Sequence, residues 1–523
     1  MRRRAFLGLA AGAAATAASP PRIALARPRP RRGGALKVIG LEPWSFDPHG
    51  PQPFQAQLLS SFVRRTLFKF ASGASRGPSD FTLVPDLALS AEVSRDGKVY
   101  TIALRRGVRW EPRAPVKGRE LVAADVKYSF ERAIRKSASA LVGQVEAVEA
   151  PDTHTVRIVL ADACAPFLHS LAEPANCVLP FEVEDRQGEL KAAESLIGCG
   201  PFVLERYEPG VKAVFARNPG YHVKGLPYLD RVEWLFVRDP ATQLSLFRAG
   251  QVDLPAQDAR IPRPEAAAFR KSNPEYPVVF WDGLGVRVLA FRTDRAPFSD
   301  ARIRQAFSLA VDRKRWLAQY EGHGWVDAGP VPAPMREWKL PVVALGDGAR
   351  WLRHDPGLAR KMLAAAGFPS GMKVRCWSPA GQGAEHVEEL ELLSGGLREI
   401  GVELQIANDE RGRFEELAWG PPLLFTEVDG YLYNLFRSGA PGNRSRVVDT
   451  SLDVMLDAQR RYRSRSSRKK VIDDIQRHAA DRVYYLYPPC PQSVSSWAPW
   501  VRNYGCKNSA DRGAQLEVVW LDR

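Results

Sequence analysis

Along residues 93–407 the apolar positions alternate between a two-residue and a three-to-four-residue period, and each switch marks a predicted element. VSRDGKVYTIALRRGVRW, 93–110, alternates apolar and polar positions into Leu104, after Asp96-Gly97, and predicts a β-hairpin. LVAADVKYSFERAI, 121–134, changes to helical spacing, with Val126, Phe130 and Ala133 or Ile134 on one face. Asp125 stands in its first turn, where a carboxylate meets the positive end of the helix dipole. THTVRIVL, 153–160, returns to strand, so this region reads as a small α+β unit.

Residues 202–207 and 211–217 read as two strands around Glu208-Pro209-Gly210, and RVEWLFV, 231–237, as a buried strand. Asp239-Pro240 starts a helix, as cap and first residue, and Gly250 stops it; VDL, 252–254, follows in βαβ order. VRVLAFR, 286–292, is a further strand. Ser299 or Asp300 then caps a helix with Ile303, Phe307 and Ala310 or Val311 at helical spacing. Helix 355–366, strand 372–377, helix 384–400 and strand 402–407 repeat the βαβ alternation, and the Pro/Gly-rich stretches 329–349 and 438–446 read as surface loops.

At 523 residues the chain exceeds what one hydrophobic core organises, so two or three domains are expected. Arg2-Arg3-Arg4, a short apolar run and Ala24-Leu25-Ala26 form a secretory leader over 1–26, too short to span a bilayer. Arg3-Arg4-Ala5-Phe6-Leu7 resembles the twin-arginine export signal, and with no Cys at the cleavage site a lipid anchor is not expected. The mature chain is then free in the periplasm. The leader's four arginines account for only four of the fifteen net positive charges. RPRPRRGG, 27–34, reads as a disordered basic arm, and RRYRSRSSRKK, 460–470, as a solvated basic helix face or loop rather than a nucleic-acid site. Six cysteines (Cys164, Cys177, Cys199, Cys376, Cys490, Cys506) form no C-x-x-C; Cys490 could pair with Cys506 and Cys164 with Cys177.

Candidate chemistry is sparse. The chain lacks G-x-x-x-x-G-K-[ST], H-E-x-x-H and G-x-S-x-G, and its eight histidines are scattered. His386 reads as helix surface, and Glu388-Glu389 and Asp473-Asp474 as solvated charge. Neither a metal nor an organic cofactor is expected. Aromatic residues are plentiful, and Trp44, Trp281, Trp377, Trp419 and Tyr431 fall in turn-rich places suited to a ligand cavity.

Several blocks in order resemble the extracytoplasmic solute-binding proteins of ABC transporters, family 5, the peptide, nickel and opine class. They are GGALKVIGLEPWSFDPHG, LVPDLALSAEVSRDGKVYTIALRRGVRW with VAADVKYSFERAI, GCGPFVLERYEPGVKAVFARNPGYH, PYLDRVEWLFVRDPATQLSLFRAGQVDL, APFSDARIRQAFSLAVDRKRWL and the terminal VVWLD. The resemblance implies an α/β, two-lobed periplasmic binding protein-like fold with mixed sheets, a two-strand hinge and an extra α+β subdomain in the first lobe. Lobe I is then 35–75, 200–287 and 492–523, its extra subdomain 76–199, and lobe II 288–491, with crossings near Gly285 to Arg292 and Tyr484 to Pro491. It implies a monomer that encloses a small solute or short peptide and presents it to ABC permease subunits in the inner membrane, without catalysis. An exported cofactor-bearing enzyme and the binding subunit of a sensory system are the alternative readings.

Val122 stands where the family carries a helix-capping Thr, so that start relies on Asp125. Peptide-binding relatives carry an Asp for the peptide's α-ammonium at the position of Leu424. Its replacement shifts the expectation toward a neutral, apolar or anionic ligand, because an enclosed ammonium without a counter-ion is costly. Expected ligand-binding residues are Trp44 from lobe I and Trp377, Trp419, Phe425 and Tyr431 from lobe II, with Asp429 as anchor for an amine, and Trp281 and Arg411 besides.

Overall fold

The computed structural model describes residues 29–50, 54–136, 141, 143–184, 190, 192–326, 329–380, 384–407 and 414–523. Residues 1–28, which include the expected leader, and Arg411 lie outside the described residues. No described helix is long and apolar enough to cross a membrane.

The first lobe is built on a four-stranded sheet, ordered Ala35–Gly40, Arg231–Phe236, Lys212–Arg217, Phe202–Glu208, in which only the first pair is parallel. The parallel pair arises because 35–40 and 231–236 are brought together from distant parts of the chain, while 202–217 is a local hairpin. Gly40 is required where it stands: a Cβ there would lie 2.0 Å from the Trp234 indole, which fills the core across the pair. Helix Pro240–Arg248 begins as expected, the Asp239 carboxylate accepting from Thr242 N at 2.7 Å. The predicted strand at 252–254 is reduced to a single parallel bridge, Val38 to Leu254.

A second core belongs to the subdomain. Its antiparallel sheet runs Ala88–Val93, Val99–Leu104, Thr155–Leu160, Val145–Asp152, and helix Ala123–Arg135 packs on it through Ala123, Val126 and Phe130. Asp96-Gly97 makes the turn, Gly97 at φ +77°. Asp125 does replace the missing cap: its carboxylate accepts from Val122 N at 3.0 Å and is held by Arg119 at 2.6 and 2.8 Å. Leu67, Phe68 and Phe70 join this core, so it starts before residue 76. Asp47, the acid of the D-P turn, pairs with Arg132 of the subdomain helix at 2.7 and 2.8 Å and fastens the two parts of lobe I together.

In the second lobe the sheet order is Val402–Ala407, Met372–Trp377, Leu417–Trp419, Leu289–Phe291, Tyr485–Leu486. Helices Ala301–Leu309, Pro356–Ala365 and Ala384–Glu399 cover it, the first capped by Asp300 and the second by Asp355. The stretch 329–349 is not merely a surface loop, since Val331, Met335 and Leu340 are buried. The basic segment ends helix Thr450–Arg461 and opens helix Arg465–Arg482, but Arg460 and Arg468 turn inward rather than to solvent.

Two strands, Val278–Trp281 and Ser493–Ser496, pair antiparallel where the chain leaves and re-enters lobe I. This pairing lies on the lobe I side of the crossings expected from sequence. All six cysteines are free thiols, and all are buried. Burial pushes Cys376 and Cys490 up to about 12, so neither is a reactive thiolate at neutral pH. A melting curve with and without reductant is therefore expected to superimpose, with six thiols titrating after denaturation; a drop of several degrees under reductant would contradict these free thiols.

Candidate functional site between the lobes

The face that lobe I offers to lobe II is a loop, residues 164–178, pinned from behind. Tyr100 Oη donates to Cys164 O at 2.9 Å, and Val178 N donates to Arg65 O at 2.8 Å. His49 is kept neutral, burial pulling it down to about 4. Its Nδ1 accepts from Arg132 at 3.0 Å, so its proton is on Nε2, which donates to Ala175 O at 2.9 Å. The loop presents His169 and Glu173.

Opposite lies 423–427. Val286 and Leu423 exchange both backbone hydrogen bonds at 2.8 Å as an isolated bridge, tying this segment to the chain that leads into strand Leu289–Phe291. Tyr431 Oη donates to Leu284 O at 2.6 Å and accepts from Phe425 N at 3.0 Å. The lobes meet where the Thr426 hydroxyl donates to the Glu173 carboxylate, Ala165 N donates to Arg460 O at 2.7 Å, and Arg463 donates to Ser94 O at 3.2 Å. At the base, Asn508 Oδ1 accepts from Leu284 N at 3.1 Å while its Nδ2 donates to Asp282 O and Ser79 Oγ. Beside it Lys507 donates to Ala71 O and Asp80 O, and burial lowers it to about 8.

Charges on the lobe II side are mutually satisfied. Asp429 is held by Arg460 at 2.6 Å, and Glu427 by Arg468 at 2.7 Å, with Gln459 joined to Asp429 and Arg468. At the crossing strand, Arg287 is buried against Glu389, His386 Nδ1 (2.7 Å) and Gly420 O (3.0 Å), with the Trp419 ring 5.6 Å away. His386 therefore carries its proton on Nε2, 2.7 Å from Ser378 Oγ. Burial, and then the Arg287 charge, lowers its pKa. Glu389 also accepts from Tyr320 Oη at 2.9 Å, and burial raises its carboxyl. Neither His386 nor Glu389 is the solvated helix residue its sequence suggests. Beside this cluster a cavity of about 560 Å³ opens between Arg263 of lobe I and Trp316, Tyr320 and Glu388 of lobe II.

The expected ligand residues divide sharply. Trp419 is fully buried, wedged between Arg287 and the lobe II core, so its ring is not offered to a ligand. Tyr431 spends its hydroxyl on Leu284 and Phe425. The Trp281 indole donates to Ser495 Oγ at 2.9 Å across the paired crossing strands. Asp429 cannot anchor an amine while Arg460 neutralises it. Phe425 is half-buried edge-on to Tyr431, and Trp377 half-buried at the end of its strand. Trp44 is 85% exposed and Leu424 47% exposed.

Residues 82–434 match the profile of bacterial extracellular solute-binding proteins, family 5 (middle region). The chain belongs to this family. Among its relatives, heme-binding protein A of Haemophilus influenzae is 30% identical over 480 residues, 84% of this chain and 81% of that one. Di/tripeptide-binding protein 2 of Pseudomonas aeruginosa is 28% identical over 456 residues, covering 79% and 82%. The fold matches the periplasmic binding protein DppA from Helicobacter pylori, solved with the peptide STSA, at a TM-score of 0.78 and 22% identity, covering 94% and 99%. The two-lobed α/β architecture follows from that match together with the two sets of cores described above. The chain is thus a solute-binding protein.

Sequence reasoning overlooked Glu173, Thr426, Arg287 and Lys507. Glu173 carried a readable cue, an acid directly before Pro174 in an otherwise small and apolar stretch. The other three become visible only once distant segments are brought together.

Proposed function

We propose that this protein captures a small, peptide-like solute between its lobes in the periplasm and delivers it to an ABC importer, with no catalytic turnover. The observation that carries this reading is the antiparallel pair Val278–Trp281 and Ser493–Ser496 at the lobe I end of the crossings, beneath two faces whose contacts among the described residues include Glu173–Thr426 and Ala165–Arg460. Lobes joined in this way close on a ligand when the solute stabilises the closed state by its differential contacts. Relatives named for di/tripeptides and for heme support a small solute and leave peptide-like compounds favoured by the polar seam. The basic leader with Arg3-Arg4-Ala5-Phe6-Leu7 supports export by the twin-arginine route.

Native mass spectrometry of the mature protein, expressed with its own leader and gently purified, tests the reading. A co-purifying adduct of defined mass, released by denaturation and exchangeable with added peptide, is expected. Covalent or redox-active adducts that turn over an added substrate would contradict it.

A further inference from the structure

We propose that Glu173 is the anchor for a cationic amino group of the enclosed solute, so that lobe I supplies the counter-charge that lobe II lacks at Leu424. This deepens the reading of the interlobe cleft as a solute site and rests on it.

Glu173 faces lobe II from a loop that Tyr100, His49 and Arg65 hold in place. Its carboxylate bonds the Thr426 hydroxyl, and among the described residues no Lys, Arg or His is placed on it. Neighbouring charged groups among the described residues have other partners. His169, on the same loop, is kept neutral by burial. Across the seam, Arg460 belongs to Asp429 and Arg468 to Glu427. Behind the loop, Arg65 is shared by Asp86 and Asp511. Burial accordingly pushes the Glu173 carboxyl up to about 7, and the nearby Asp511 adds to the rise.

A latch between lobes does not need this charge. An amide would accept the Thr426 hydrogen bond equally well, without the desolvation cost of an unpaired carboxylate. An ammonium group placed here could donate to Glu173 and to the Thr426 oxygen at once. The half-exposed Leu424 side chain, two residues before Thr426, offers apolar surface to the adjoining alkyl part of the same solute. The expectation from sequence alone, a neutral or anionic ligand, is then reversed.

The test uses the full mature chain, a mixed pool of di- and tripeptides, and the same pool N-acetylated, with bound species read by native mass spectrometry and affinities by calorimetry. Wild type is expected to retain free-amine peptides and to discriminate strongly against the acetylated pool. Glu173→Gln should bind the free-amine peptides at least about 30-fold more weakly, the lower end of the loss on removing one partner of a buried charge pair. Its melting temperature should match or exceed that of wild type, which separates lost recognition from lost fold. Glu173→Gln binding the same peptides as wild type would overturn the anchor while leaving the cleft as the solute site. Retention of neither pool by wild type would overturn the anchor too; if a host-derived solute without an amino group then occupied the protein, the cleft reading would survive.

Discussion

Replacing Arg65 by Ala is expected to destabilise lobe I by about 3–5 kcal/mol, the cost of breaking a buried ion pair from one side. Its side chain is 1% exposed, with Nε 2.6 Å from Asp86 and Nη1 3.2 Å from Asp511. Asp86 is fully enclosed, and its carboxyl is held well below the usual range by the Arg65 and Lys69 charges and the His222 hydrogen bond, working against burial. Asp511 already lies above its ordinary range because burial outweighs Arg65. Without the guanidinium, two carboxylates are left in a low-dielectric interior, and one or both must take up a proton or open to water. Arg65→Lys should rescue little, because one ammonium cannot serve two carboxylates in the fork geometry. In urea, the midpoint for the transition containing lobe I should fall in both variants. An unchanged midpoint would show that the pair adds nothing.

Removing Arg287 has a comparable effect in a different place. Arg287→Ala strands Glu389 and leaves the Gly420 carbonyl and His386 Nδ1 without their donor, directly on the crossing strand. A loss of about 3–5 kcal/mol is expected in lobe II, together with weaker solute binding, because Val286 one residue away fixes the 423–427 face. The double variant Arg287→Met/Glu389→Leu should regain the part of the loss that comes from stranding Glu389, since apolar residues often replace a buried pair without loss, while the Gly420 carbonyl and His386 Nδ1 stay without their donor. A single variant as stable as wild type, by calorimetry, would sink this account of the hinge.

The elements of both lobes were largely legible because their signals are local. Asp239-Pro240 and Asp300 each cap the helix their position announces, and 372–377 and 402–407 form adjacent parallel strands as their βαβ order requires. The site was far less legible. Polar residues that decide it are paired across long separations: Arg65 with Asp511, Arg287 with Glu389, Glu173 with Thr426. No period or motif records such partners. Aromatic position misled for a related reason. Trp419 sits in a Gly- and Pro-rich stretch, yet its strand lies between two others in the sheet, and that centrality buries the ring. Arg460 and Arg468 read as solvated charge because helical spacing alone cannot show that Asp429 and Glu427 face them from another helix.

Small-angle X-ray scattering of the mature protein, stripped of solute by mild denaturation and refolding and then saturated with its co-purified solute, tests the central claim most directly. Two lobes closing on a bound solute predict a reproducible fall in radius of gyration and a more compact distance distribution on binding. Identical scattering from the stripped and saturated protein, with binding proven in the same sample, would contradict it.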